Sequence, residues 1–231
     1  MKLYHFINEK YGLEAISRQR LKASTLDNLN DPFELFSIDL SSSQMFRDAL
    51  RRYKSYLADK SCLLCFSKTW SSPLLWSHYA DRHRGMALVF EVPDADVEHI
   101  KYRRRRIKIE DARVANEDTT KRLLTTKYID WQYENEARLF KPVKDLTYEE
   151  RLPFVHFDKN LVLTSIILGP LSKLSDSELE SVLPLNIQLK VIRSRMAFRT
   201  FKIVRNKSEP VCKLGRAEQG AAVDGSLQGR N

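Results

Sequence analysis

Three polar positions of this chain stand in strongly apolar sequence, and their side chains can do acid–base and ring-stacking chemistry. His5 lies in Leu-Tyr-His-Phe, Tyr79 ends Trp-Ser-His-Tyr, and Glu134 and Glu136 follow a tyrosine with one asparagine between them. Polar groups in such surroundings either satisfy hydrogen bonds in a core or line a pocket. The sequence leaves both alternatives open, and the choice decides whether the protein is an enzyme.

The two glutamates lie in a segment, 131–140, that alternates apolar and polar side chains. This alternation predicts a strand with both carboxylates on one side and the apolar side chains on the other. Like charges that close raise one pKa, which lets an acid and a base coexist in one cleft. The competing interpretation is a solvated strand face with Arg138 as counterion, and residue statistics favour it. Likewise, a single histidine on an apolar strand such as His5 is more often a satisfied core residue than a ligand.

The segment around Tyr79 offers further pocket candidates. Tyrosine and tryptophan supply flat faces that can stack on a base or a nicotinamide ring. Tyr79, His83 and Arg84 lie near a predicted helix-to-strand turn, where functional side chains are often found. Trp76 is a candidate for the same pocket, although packing in the core is its more ordinary role.

The chain is basic, with 39 lysines and arginines against 30 acids, a formal net charge of +9 and a pI near 9.4. Such an excess favours a polyanionic partner such as nucleic acid, or an anionic ligand, although it can also serve solubility alone. The charge concentrates in a predicted amphipathic helix and in an arginine run without interleaved aromatics, which suits phosphate contacts. The candidate nucleic-acid-binding residues are Arg47, Arg51, Arg52, Arg103, Arg104, Arg105 and Arg106.

Several function classes are excluded or disfavoured. The few glycines before residue 215 are isolated, so neither a P-loop nor a dinucleotide fingerprint can form, and there is no Gly-x-Ser-x-Gly elbow. No apolar run approaches the roughly 20 residues that cross a bilayer, and we expect neither a signal peptide nor membrane association. Cys62 and Cys65 should diverge along a strand as inert thiols, so we expect a reducing cytoplasm and no metal site.

The overall pattern predicts a single α+β domain of short, mostly buried strands with flanking helices, at residues 1–207. Continuous apolar runs predict buried strands, and apolar residues at helical spacing predict helices. The predicted strands are 2–7, 22–25, 62–66, 85–92, 131–140, 161–168 and two within 187–204 around a basic turn at 193–195. The predicted helices begin at Gly12, lie within 41–59, begin at Pro73 and end near a left-handed Gly85, lie within 107–128, and run from Ser175 to Val182. We expect a disordered tail at 208–231, because that stretch is rich in Gly, Ala, Gln and Ser without periodicity.

Ordered motifs along the chain resemble a bacterial family. They are Leu26-x-x-Leu29-Asn30-Asp31-Pro32-Phe33-Glu34, Leu64-Cys65-Phe66-Ser67, Leu75-Trp76-Ser77-His78-Tyr79-Ala80, His83-Arg84-Gly85, Trp131-x-Tyr133-Glu134-x-Glu136-x-Arg138 and Ile167-Leu168-Gly169. Over residues 3–170 the set is similar, in order, to the family catalogued as domain of unknown function 2971. The resemblance implies a bacterial or mobile-element origin and brings no settled activity.

The order of histidine, tyrosine and glutamate also resembles the His-Tyr-Glu arrangement of ADP-ribosyltransferases, and the Glu-x-Glu pair resembles another branch of them. This resemblance implies a split sheet and NAD as substrate. It implies that His5 holds the adenosine-side ribose, Tyr79 stacks on nicotinamide, Glu136 stabilises the oxocarbenium-like cation and Glu134 activates the acceptor. The catalytic candidates are Glu136, Glu134, Tyr79 and His5, and the NAD-binding candidates are His5, Ser67, Trp76, Tyr79, His83 and Arg84.

Our leading hypothesis is an NAD-dependent ADP-ribosyltransferase-like enzyme that modifies nucleic acid or protein in a bacterial defence or toxin setting. One alternative is a non-enzymatic module that binds nucleic acid or another partner through its basic surface. A second is a nuclease with Glu134, Glu136 and Asp31 around a metal, which the spacing supports little.

Overall fold

The fold is organised around one large sheet. The structure, a computed structural model, describes residues 1–41, 43–108, 117–185 and 187–215. In these residues the helices are α1 (Glu9–Arg18), α2 (Gln44–Ala58), α3 (Pro73–Tyr79), α4 (Glu117–Leu124) and α5 (Asp176–Val182). The strands are β1 (Lys2–Ile7), β2 (Arg20–Lys22), β3 (Ser61–Ser67), β4 (Met86–Glu91), β5 (Glu98–His99), β6 (Lys101–Arg103), β7 (Thr126–Tyr128), β8 (Glu136–Pro142), β9 (Thr147–Glu149), β10 (Leu152–His156), β11 (Val162–Leu168), β12 (Gln188–Met196), β13 (Ile203–Arg205) and β14 (Cys212–Gly215).

The large sheet is mixed, with strand order β13-β12-β11-β4-β1-β3-β8-β5, and β14 also pairs with β12. Strands β11 and β12 are parallel and are joined through α5, whereas the other neighbours in this sheet are antiparallel. Two smaller sheets complete the described part, β2-β10-β9 and the parallel pair β6-β7. The protein is therefore a single α+β domain, as the sequence predicts.

The central strands are buried on both faces, as their continuous apolar runs predict. On one face Leu64 and Leu88 belong to the main hydrophobic cluster, which also receives α1 and α5. The other face carries two smaller clusters, one around Leu63 beneath α2 and α4 and one around Trp76 of α3. The side chains of Cys62 and Cys65 belong to different clusters and so diverge as expected.

Helix capping follows the local sequence. The Ser175 hydroxyl accepts from the Glu178 amide and the Glu178 side chain reaches back to the Ser175 amide, so the predicted capping box begins α5. Helix α1 begins earlier than predicted, because the Asn8 side chain accepts from the Tyr11 amide and caps it. Gly12 is therefore inside this helix, where an added Cβ would lie 2.6 Å from the Met86 sulfur.

The predicted strand at 131–140 is wrong in its first half. Residues Ile129–Glu134 form a 3₁₀ helix that ends at Asn135 in the left-handed region with φ 45°, and β8 begins only at Glu136. The predicted helix within 107–128 is shorter than expected: α4 ends at Leu124 and β7 follows, and residues 109–116 lie outside the described residues.

The turn predicted at 193–195 is also wrong, because β12 continues through it to Met196. Its polar side chains are paired rather than solvated: an Arg193 Nη2 donates to Asp176 Oδ1 at 2.6 Å, and the Ser194 hydroxyl donates to the Leu168 carbonyl at 2.6 Å. Such pairing lets a polar sequence lie in a partly buried strand.

Gly85 does not take the predicted left-handed conformation. The left-handed residues of this turn are Asp81, Arg82 and His83, with φ between 44° and 71°. Glycine is required at position 85 for close approach instead, because an added Cβ would lie 2.2 Å from the Ile7 carbonyl oxygen.

The predicted domain boundary at 207/208 falls too early. Residues 212–215 form β14, which pairs antiparallel with β12, and Leu214 is buried against the main cluster. Cys212 also packs against this cluster, so the strand contributes two side chains to the core. The rest of the predicted tail, 216–231, lies outside the described residues.

Candidate functional site

Side chains from distant parts of the chain meet around one cavity of about 240 Å³ beside α3. The cavity is lined by the candidates His5, Ser67, Tyr79, Glu134 and Glu136. It is lined as well by polar residues that were not among the sequence candidates, namely Ser24, Asn30, Glu34, Lys127 and Arg138. Five of the sequence candidates therefore line the same cavity.

Lys127 of β7 ties the two candidate glutamates together. Its Nζ donates to Glu134 Oε2 at 2.6 Å and to Glu136 Oε2 at 3.1 Å, and lies 3.9 Å from Glu34 Oε1. The Lys127 side chain is only 4% exposed although lysine is seldom buried. The Lys127 ammonium also lies 4.7 Å from the ring centre of Trp131. Buried lysine is retained here because carboxylates surround it.

Arg138 of β8 holds the second half of the network. Its Nε donates to Glu136 Oε1 at 2.7 Å, its Nη1 donates to Glu34 Oε2 at 2.9 Å, and its Nη2 donates to both carboxylates. The same Nη1 donates to the Leu124 carbonyl at 2.8 Å. These forked contacts are charge-assisted and fix both carboxylates. The face expected to be solvated is thus buried, with Arg138 1% exposed.

Burial and the neighbouring charges shift the pKa values of Glu34, Glu136 and Lys127. Burial raises the pKa of Glu34 above its ordinary value despite its bonds to Arg138. For Glu136, burial also acts upward, but Arg138 and Lys127 together hold its pKa below the ordinary value. Burial acts to lower the pKa of Lys127, and the opposing effect of Glu136 and Glu134 prevails, so the ammonium stays charged. Three carboxylates against two cations leave one excess negative charge beside the cavity when all five groups are ionised.

Tyr79, at the end of α3, reaches across to Glu134. Its hydroxyl donates to Glu134 Oε1 at 2.5 Å and accepts from the Asn30 side-chain amide at 2.5 Å. Burial, and then the Glu134 carboxylate, raise the pKa of Tyr79, so the phenol remains a neutral donor. The Ser67 hydroxyl donates to the Glu134 carbonyl at 2.6 Å and fixes the backbone of this glutamate.

The two glutamates differ in how many partners they have. Glu136 accepts three hydrogen bonds from Lys127 and Arg138, and its amide donates to the Tyr102 hydroxyl at 2.8 Å. Burial raises the pKa of Tyr102 to about 12. Glu134 accepts one hydrogen bond on each oxygen. Since a carboxylate offers about four acceptor positions, Glu134 retains the greater capacity to meet a ligand.

His5 of β1 is held as a neutral ring. Its Nδ1 lies 3.0 Å from the Cys65 carbonyl oxygen, and because a carbonyl only accepts, we assign the proton to Nδ1. Burial lowers the pKa of His5, and the bond to Cys65 opposes this effect only in part. The neutral tautomer leaves Nε2 as a hydrogen-bond acceptor, which suits a sugar hydroxyl.

Three NAD-binding candidates do not line the cavity. Trp76 is fully buried, where its ring packs edge-on against Phe6 and its Nε1 donates to the Trp70 carbonyl at 2.7 Å. It is a core residue. His83 and Arg84 belong to the turn after α3, which joins the segment after β11 through a bond from the Leu171 amide to the His83 carbonyl. Neither residue lines the cavity.

The predicted basic residues form a surface beside the site. Arg103–Arg106 line a second cavity of about 300 Å³ that also includes Lys127. Arg47 of α2 lies with Arg105 and Arg106 around a further hollow, so the two basic segments are neighbours. Arg51, in contrast, pairs with Asp48 at 2.9 Å, and Arg52 is exposed on α2.

Three residues of the network, Glu34, Lys127 and Arg138, were missed as site residues. Glu34 and Arg138 both occur in the motifs given above. Glu34 was assigned to a turn because it follows Asn-Asp-Pro, and Arg138 was assigned to a solvated strand face. Lys127 had one sequence signal, because it is a single charge in Leu-Leu-Thr-Thr-Lys-Tyr. A charged residue inside such an apolar stretch is rarely buried unless it is paired.

Comparisons with protein-family models, with curated proteins and with solved structures gave no match. The resemblances to the domain-of-unknown-function family and to ADP-ribosyltransferases therefore stay predictions. Among the described residues no group of three His, Cys, Asp or Glu side chains is arranged to hold a metal ion, and Asp31 lies outside the lining of the first cavity. Within the same residues no helix is long and apolar enough to cross a membrane.

Proposed function

We propose that this protein is an NAD-dependent ADP-ribosyltransferase-like enzyme. One observation carries the proposal: His5, Tyr79, Glu134 and Glu136, the four catalytic candidates, line a single cavity. Packing alone does not require a histidine, a tyrosine and two carboxylates from three separate segments to share a hollow. Perturbed titratable groups gathered at a cavity are typical of catalytic sites.

The size of the cavity supports binding of one end of the dinucleotide. At about 240 Å³ it is smaller than the roughly 300 Å³ at which ligand pockets begin, so it suits nicotinamide and its ribose. The anionic diphosphate then needs cations outside this cavity. The neighbouring cavity supplies them in Arg103–Arg106 and shares Lys127 with the first.

The electrostatics suit loss of nicotinamide. When the bond between the ring nitrogen and the ribose C1′ breaks, the nitrogen keeps the electron pair, nicotinamide leaves as a neutral molecule and the ribose becomes cationic. When all five groups of the buried network are ionised, its excess negative charge stabilises that cation. The acceptor nucleophile then bonds to C1′, and its proton passes to a carboxylate.

Hydrogen-bond capacity favours Glu134 over Glu136 as the carboxylate that meets the ribose. Glu136 is committed to Arg138 and Lys127, whereas Glu134 has one partner on each oxygen. In this assignment Glu136 is a positioning residue, Tyr79 orients Glu134 and packs on the leaving ring, and the acceptor Nε2 of His5 receives a ribose hydroxyl.

The test is release of nicotinamide from ring-labelled NAD by the purified protein, with RNA, DNA and protein offered as acceptors. We expect release by the parent and a loss of about 100-fold or more in Glu134→Gln, in line with removal of an acid–base group. Glu180→Gln is the matched control, because Glu180 is exposed on α5, whose helix packs on the opposite face. Absence of NAD binding by calorimetry, together with no release with any acceptor, would overturn the proposal.

A second candidate function is polyanion binding without catalysis. It is favoured by the position of Arg47, Arg105 and Arg106, which line the same surface hollow. Oligonucleotide binding through these residues would weaken steeply with salt as counterions are released. Binding that is unchanged by Glu134→Gln, with no nicotinamide release, would support this candidate over the enzyme.

A further inference from the structure

The hairpin of β12 and β13 carries two exposed aromatic rings at its tip. Phe198 is 89% exposed and Phe201 is 98% exposed, and neighbouring Met196 is 62% exposed. Single exposed apolar residues are ordinary on protein surfaces, whereas clustered ones mark interaction sites. The tip is defined here as residues 197–202, between the two strands.

The same hairpin is strongly and uniformly cationic. The stretch from Arg195 to Lys207 contains no aspartate or glutamate. Its five cations are Arg195, Arg199, Lys202, Arg205 and Lys207. Within residues 1–41, 43–108, 117–185 and 187–215, none of the five is in an ion pair with an acid. Charges left unpaired around exposed rings are available to an anionic partner.

The hairpin is fixed in place. Met196 pairs with Ile203 across the strands, the Ala197 amide donates to the Lys202 carbonyl at 2.9 Å, and the Ile203 amide donates to the Ser71 carbonyl at 2.9 Å. Ile203 is buried in the same cluster as Trp76. The rings are therefore presented by an ordered element, which reduces the entropy lost on binding.

One ring is already arranged for stacking. The Arg195 guanidinium carbon lies 4.2 Å from the ring centre of Phe198, a cation–π contact that supports the ring. Nucleobases stack on aromatic side chains while nearby Lys and Arg contact the phosphates.

We propose that this hairpin tip binds single-stranded nucleic acid. Phe198 and Phe201 stack on unpaired bases, and Arg199, Lys202, Arg205 and Lys207 contact the backbone phosphates. The site lies apart from the arginine run and does not depend on NAD chemistry. An anionic membrane fits less well, because Arg199 and Lys202 alternate with the rings and insertion of the rings would carry these charges toward the hydrocarbon.

The test is fluorescence anisotropy of labelled single-stranded DNA and RNA 20-mers with the full chain, without NAD, at several salt concentrations. We expect the double variant Phe198→Ala/Phe201→Ala to bind at least about tenfold more weakly, and Phe198→Trp/Phe201→Trp to retain affinity. Arg199→Ala/Lys202→Ala should lower the magnitude of the slope of log affinity against log salt by about 1.4, because each phosphate contact to a single strand contributes about 0.7. The high exposure of both rings means that the folded state should tolerate these changes.

Two controls make the result specific. Tyr11→Ala removes an exposed ring beside Lys10, on a helix of the opposite sheet face, and should leave binding unchanged. Arg105→Ala/Arg106→Ala tests the other basic surface. Parent-like binding by the double phenylalanine variant would overturn the proposal, with or without a loss in the arginine variant. Sedimentation of the protein with phosphatidylserine vesicles, lost in the phenylalanine variant while oligonucleotide binding persists, would overturn it in favour of a membrane.

Discussion

At the scale of single residues, the cavity depends on two buried cations that pair with three buried carboxylates. Neither cation could be removed without leaving a charge unpaired in a site of low dielectric. Arg138 serves Glu34 and Glu136 at once, and Lys127 serves Glu136 and Glu134. Glu136 is thus the shared member that links both cations, while Glu134 lies at the end of the network that meets Tyr79.

We expect Arg138→Met to destabilise the fold by about 3–5 kcal/mol, because two buried carboxylates lose their main partner while the packing volume is kept. Urea unfolding followed by circular dichroism measures this difference. Arg18→Met is the control, since Arg18 pairs with Glu149 at the surface and exposed ion pairs contribute little. Equal stability of Arg138→Met and the parent would contradict the network described here.

His5 should make stability depend on pH. Burial lowers its pKa in the folded state, so below about pH 6.5, the ordinary histidine value, the unfolded chain binds more protons than the folded one. The contribution is therefore complete above that pH and is lost as pH falls through the folded pKa. We expect the stability of His5→Asn, measured by urea unfolding, to fall less than that of the parent between about pH 7 and pH 5.5. Parallel losses in the two proteins would contradict this assignment.

At the scale of elements, one backbone conformation sets the spacing of the two glutamates. Asn135 is left-handed with φ 45°, and it joins the 3₁₀ helix that carries Glu134 to the strand that carries Glu136. Asparagine tolerates this region better than most residues with a Cβ. The change of direction lets both carboxylates reach Lys127 although only one lies on a strand.

We expect Asn135→Ala to cost about 1–2 kcal/mol, since alanine is strained in the left-handed region, and Asn135→Gly to cost less. Thermal unfolding of the two variants beside the parent measures the difference. An Asn135→Ala variant as stable as Asn135→Gly would show that left-handed strain does not operate at this position.

The helices and strands that were predicted correctly are those whose sequence pattern lies within the element itself. Apolar runs identified β1, β3, β4 and β11, and the Ser175 box identified the start of α5. The 3₁₀ segment was missed because its aromatic spacing also fits a strand, and β12 was cut short because the partners of Arg193 come from other elements. The sequence pattern of one segment does not show which residues of other segments will pair with it in the folded protein.

The sequence indicated four residues that share the cavity, but it did not indicate the charged residues that surround them. His5, Tyr79 and the glutamate pair were selected by residue type, and they line one cavity. Their ion pairs were not foreseen, because Lys127 reaches them through the parallel pair of β6 and β7, a contact with no local signature. Trp76 was placed among NAD-binding candidates by its ring chemistry, although its burial follows from packing against β1.

At the scale of the whole molecule, the net charge of +9 is distributed unequally. The central network holds three carboxylates and two cations, whereas further cations gather at the arginine run with Arg47 and at the hairpin tip. A long-range positive field steers polyanions toward the protein, and an anionic cavity favours a cationic group within it. A dinucleotide with a positively charged ring and a negative diphosphate has a complementary distribution of charge.

The sheet as a whole extends beyond the boundary that composition indicates, and β14 tests this directly. Leu214 is 8% exposed in the main cluster and lies opposite Leu189 of β12. Leu214→Ala should therefore lower stability by about 2–5 kcal/mol, the usual cost of emptying a buried leucine site. Lys213→Ala, an exposed neighbour on the same strand, should change it little. Thermal unfolding compares the pair, and equal melting temperatures for both variants and the parent would mean that β14 contributes nothing to the core.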